Sequence, residues 1–104
     1  MERTESLQLI GDWLRAARIE QQQSHRQLAE ALRLRGVHAS MSLVRSWESS
    51  SAGTPPRNEP SPAALVALAE VLEADAATTH RLVAARHRTT ADELMSRLSV
   101  QPTA

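Results

Sequence analysis

The chain has no cysteine, no phenylalanine, no tyrosine and only two tryptophans in 104 residues. Without cysteine there is no disulfide and no thiolate metal site to support the fold, and a reducing cytoplasm is the expected setting. Without Phe and Tyr the core must be built from Leu, Ala, Val and Ile. Binding of single strands by base stacking is disfavoured for the same reason. Lysine is also missing, so every basic residue is Arg. No apolar run approaches a membrane span, and the N-terminus lacks the basic start and apolar stretch of a signal peptide. The histidines are poorly placed for a metal. His80 and His87 are seven positions apart on an expected helix, too far to share one ion, and His25 and His38 fall in separate turns. No Gly-rich phosphate loop is present, and no nucleophile–base partnership can be read from the spacing. Neither a metal, a cofactor nor an enzyme activity is expected.

Few β-branched runs and many Leu and Ala residues point to an all-α chain. The length predicts one small domain with a modest core, and the apolar spacing and capping signals predict a compact bundle of five to six short helices. The first is expected over about Ser6–Gln22, with Leu7, Ile10, Leu14 and Ala17 recurring at three- and four-residue steps beside Trp13. Ser24 with Gln27 forms a capping-box signal, predicting a second helix over His25–Arg35. Leu28, Ala29 and Leu32 face inward there, with Leu34 a further inward candidate. Gly36 suits the left-handed residue just past a helix end, and Ser40 can cap a third helix over Met41–Ser49. Val44 and Trp47 are its inward residues. The stretch Ser49–Pro60 reads as a loop that is long for a small domain. Ser61-Pro62 restarts a helix to about Ala74. A fifth is expected over Ala77–Arg88, and Thr90 with Glu93 opens a sixth.

Twelve basic and twelve acidic residues cancel, which excludes the broad positive field of a non-specific nucleic-acid binder. The distribution is uneven, however. Arg33, Arg35, Arg45 and Arg57 stand in residues 33–57 against Glu48 alone, whereas residues 58–75 carry four acids and no Arg. A local basic patch around the third helix is expected.

Three elements in order carry a resemblance. Ile10-Gly11, Leu14-Arg15 and Arg18 come first. Ser24-His25-Arg26-Gln27-Leu28-Ala29 follows, and then Ser40 to Glu48. The later run Leu65-Val66-Ala67-Leu68-Ala69-Glu70-Val71-Leu72 completes the pattern. Over about Leu7–Asp75 the chain resembles the Xre/Cro family of phage-repressor-type helix-turn-helix regulators. The interval from Leu28 to Glu48 is roughly five residues longer than the family's ordinary spacing, which predicts a longer second helix and a wider turn.

The resemblance implies a bacterial, cytoplasmic transcription regulator that acts as a repressor or activator on double-stranded DNA. Residues 1–75 would form the DNA-binding part and 76–104 a C-terminal pair of helices. Met41, Ser42, Arg45 and Ser46 match positions at base edges, and Arg45 has the reach for guanine O6 and N7. Ser24, His25, Ser40 and Gly53 match positions near the DNA backbone. Arg33, Arg35 and Arg57 flank Arg45 and are expected to touch phosphates, and Arg57 lies where relatives sometimes place a minor-groove Arg. Arg18 and Glu48 match a pair that is often buried as a salt bridge. A homodimer on a palindrome is expected, because one recognition helix covers few base pairs. Its surface would comprise Leu82, Val83, Leu94, Met95 and Leu98. The neutral net charge keeps open a different reading: an antitoxin or interaction module whose C-terminal helices bind a protein partner.

Overall fold

A computed structural model describes residues 3–49 and 56–87, all of whose regular structure is helical. Four helices are bounded as α1 (Arg3–Glu20), α2 (His25–Leu34), α3 (Met41–Ser46) and α4 (Pro62–Val71). Residues 76–87 are a fifth, α5. The expected sixth helix, the Thr90–Glu93 box, Leu94, Met95, Leu98 and Gly53 lie outside the described residues. No described helix is long and apolar enough to cross a membrane.

The helix starts follow local side-chain chemistry. Ser24 Oγ accepts from Gln27 N at 3.0 Å while Gln27 Oε1 accepts from Ser24 N at 2.8 Å, closing the capping box of α2. Ser40 Oγ accepts from Leu43 N at 3.0 Å, and Ser61 Oγ from Ala64 N at 3.2 Å with Pro62 next in line. Each bond satisfies a donor that a helix start leaves free. One start was not anticipated. Asp75 Oδ1 accepts from Thr78 N at 2.7 Å and so caps α5.

Three helices stop in the same way. After α2, Gly36 takes φ 82°, its N–H donates to Arg33 O, and Val37 N donates to Leu32 O, both at 3.0 Å. This is the paired closure in which a left-handed residue turns the chain out of the helix. Gln22 (φ 55°) closes α1 and Glu73 (φ 57°) closes α4 with the same two bonds. Helix α2 therefore ends at Leu34, and residues 35–39 are spent on its exit and the turn. Leu34 is exposed, not inward.

Helix α3 is shorter than expected, ending at Ser46 rather than Ser49. Ser46 Oγ donates to Leu43 O at 2.6 Å, and the Ser46 carbonyl is taken by Asn58 N at 3.3 Å. The acceptor that the next helical turn would use is thus occupied from outside the helix.

Two apolar clusters hold the helices together. The larger joins Leu14 of α1, Leu28 and Leu32 of α2, Val44 and Trp47 at α3, and Ala64, Ala67, Leu68 and Leu72 at α4. The smaller joins Ile10, Leu65, Leu82 and Ala85. Trp13 packs against both. Helix α5 is thus seated on α1 and α4, and Arg86 Nε reinforces it by donating to Pro60 O at 3.0 Å. Leu82 is 2% exposed inside this cluster. It serves the core of one chain and is not open to a dimer partner, in contrast to the expectation. Val83, beside it, is half-buried.

Candidate nucleic-acid interface

The inner side of α3 is fixed by a buried charge cluster. Arg18, in the last turn of α1, donates from Nε to Glu48 Oε2 at 2.6 Å and from Nη2 to Glu48 Oε1 at 3.1 Å. Its Nη1 donates to Gln23 O at 2.9 Å. The two side chains are 16% and 6% exposed. A rigid guanidinium fork matched to both oxygens of a carboxylate is the geometry that makes a buried pair tolerable. The pair links the end of α1 to the residue just past the C-cap of α3.

His25 joins this cluster. Its Nε2 lies 2.9 Å from Glu48 Oε2, without the alignment of a hydrogen bond. The Nε2 is buried and directed inward, so His25 does not present it to a DNA phosphate as expected. The reason is position. As the first residue of α2, His25 sits over the carboxylate that Arg18 also holds.

A close approach of backbones fixes the other flank. A Cβ on Gly11 would meet Ser49 Oγ at 2.6 Å, Ser49 N at 2.9 Å and Pro56 Cγ at 3.2 Å. Helix α1 can contact the segment after α3 this closely only because residue 11 has no side chain. Gln8 Nε2 donates to the buried Ser49 Oγ at 3.0 Å across the same contact.

The outer face differs in character. Met41, Ser42, Leu43 and Arg45 are all exposed. Arg45 has no acidic partner among the described residues, and the same holds for Arg57. The other two members of the basic patch are partly neutralised. Arg33 Nη2 pairs with Glu30 Oε1 at 2.7 Å, and Arg35 Nε with Glu70 Oε2 at 3.5 Å. Both pairs are exposed, and such pairs contribute little, so either Arg can be redirected at small cost.

Ser46 does not stand free on this face. Its hydroxyl proton is committed to Leu43 O, and its oxygen accepts from Asn58 Nδ2 at 3.1 Å. With its proton spent, Ser46 can meet a base edge only as an acceptor, through its remaining lone pair. Asn58, a residue that local sequence patterns do not single out, occupies the end of α3. Ser24 and Ser40 use their hydroxyl oxygens as cap acceptors and keep their O–H donors.

Compared with family models, curated proteins and solved structures, the chain has no significant match. The resemblance to helix-turn-helix regulators rests on the residues and their order.

Proposed function

We propose that this chain is a sequence-selective DNA-binding regulator of helix-turn-helix type, with α3 lying in the major groove. The observation that supports it most is the asymmetry of α3. Its inner side is fixed by Val44, Trp47 and the Arg18–Glu48 pair. Its outer side presents a guanidinium without an acidic partner among the described residues, beside the exposed Met41 and Ser42. A short, rigidly seated helix with one long donor on its open face suits readout of a guanine edge.

Arg45 is assigned to a base contact, with Met41 and Ser42 beside it. Arg33, Arg35 and Arg57 are assigned to phosphates, where they add salt-dependent affinity without sequence information. Two copies on a palindrome would supply the specificity that one short helix lacks. With Leu82 inside the core, the half-buried Val83 and residues beyond 87 carry the dimer assignment.

The test is fluorescence anisotropy of the full chain on labelled duplexes from the DNA upstream of its own gene, against scrambled duplexes, at several salt concentrations. Preference for the upstream duplex that persists as salt rises supports the reading. Equal binding to both duplexes, or no binding at low salt, overturns it. The neutral net charge and a shallow groove on α5 lined by Thr79, His80, Val83, Ala84 and His87 favour the second reading, a partner-protein surface, in that event.

A further inference from the structure

We propose that Asn58 is a specificity-determining residue that reads the edge of an adenine at the C-terminal end of α3, where Ser46 by position would be expected to act. This rests on the DNA-binding reading above and deepens it.

The argument starts from proton accounting. A serine hydroxyl has one proton, and that of Ser46 is spent on Leu43 O at 2.6 Å. Its oxygen can then only accept from Asn58, which fixes which end of the Asn58 amide faces Ser46. The Nδ2 end is turned to the helix at 3.1 Å, and the Oδ1 end is directed elsewhere. Among the described residues Oδ1 accepts no hydrogen bond. The amide nitrogen carries a second N–H that the Ser46 bond does not use. Asn58 is exposed.

One N–H donor beside one C=O acceptor in the plane of an amide is the pattern that matches adenine, whose N7 accepts while its N6 amino group donates. The residue is also held for the task. Its backbone N–H donates to Ser46 O at 3.3 Å, and the stretch is pinned on either side by buried Pro56 and Pro60. Ordering costs that a free loop side chain would meet on binding are thereby met on folding. Arg45 lies one residue before Ser46, so a guanidinium and an amide stand at the same end of the helix.

The experiment selects a preferred duplex from a randomised pool with the full wild-type chain, then replaces each adenine in turn by 7-deazaadenine. Removing N7 at one position should lower wild-type affinity roughly tenfold. Asn58→Ala should already be weaker by a similar factor and should show no further loss at that position. Asn58→Asp, which keeps the shape and lacks the amide donors, should behave alike, so a folding defect in one variant does not decide the outcome. Ser46→Ala should weaken binding while leaving the 7-deazaadenine effect in place. The proposal is overturned if the deaza profile of Asn58→Ala matches that of wild type, or if Asn58→Ala weakens selected and scrambled duplexes equally. Enrichment of no sequence by the wild-type chain would overturn the DNA-binding reading itself, a result distinct from either.

Discussion

The two sides of α3 are less than a turn apart and obey opposite rules. On the inner side a carboxylate is gripped through both oxygens, with His25 close by, and the apolar side chains are almost without exposure. On the outer side Arg45 meets no acid among the described residues, and Met41 is 43% exposed. The contrast separates two duties. The inner groups stabilise one orientation of a helix too short to hold itself, and the outer groups add little to stability. Substitutions inside should therefore act on folding, and substitutions outside on binding.

Arg18→Ala is the strongest way to break this division. It leaves Glu48 buried without its guanidinium, which should cost about 3–5 kcal/mol. Urea denaturation followed by circular dichroism checks it, and a loss under 1 kcal/mol would show the inner side to be less dependent on charge than its geometry implies.

Gly11→Ala comes next. In an ordinary helix this change is favourable by about 1 kcal/mol. Here the added methyl group meets the Ser49 backbone, and overpacking of this kind costs about 1–3 kcal/mol. The sign of the change in melting temperature decides between the two. Ser49→Gly should recover only part of the loss, because Ser49 N remains 2.9 Å from the new carbon.

Arg45→Ala probes the other side. It should leave the melting temperature nearly unchanged and lose about 1–3 kcal/mol on a preferred duplex, relaxing one base-pair preference. Arg33→Ala and Arg35→Ala should weaken all duplexes alike and flatten the salt dependence. Equal loss on preferred and scrambled DNA for Arg45→Ala would make Arg45 a phosphate contact.

The smallest effect is a control remote from α3. The Thr78 hydroxyl and backbone N–H hold the Asp75 carboxyl below its usual range. Its folded pKa is thus depressed. Its contribution is present above the unfolded pKa, about 3.9, and is lost as pH falls through the folded value. Asn is also a good cap, so Asp75→Asn should match wild type at neutral pH and lose a small part of the acid dependence below about pH 4. Melting curves across that range test it.

What could be read from the chain divides along similar lines. The caps at Ser24, Ser40 and Ser61 and the turn at Gly36 were legible because each depends on residues within a few positions. The Leu and Ala spacing of α1, α2 and α4 was legible because burial of one face dictates it. Leu34 could have been placed outside by the same rule, since it lies two residues, about 200° of helix, from Leu32. The Arg18–Glu48 pair emerged only through resemblance, as nothing local joins positions thirty residues apart. Gly11 carried a partial signal, a glycine inside an amphipathic helix, but its partner Ser49 could not be inferred. The inward turn of His25 and the bond from Asn58 to Ser46 depend on how helices meet, and no periodicity announces them.

The six-residue length of α3 has one further consequence. An isolated helix needs about 12–15 residues to be even marginal in water, so this one exists only within the folded chain. Loss of the fold should remove its exposed face all at once. A destabilised variant would then show a smaller active fraction with an unchanged intrinsic affinity, and saturating duplex would restore the missing molecules by mass action. Titrations of such variants should be read first for the number of binding-competent molecules, and only then for how tightly each one binds.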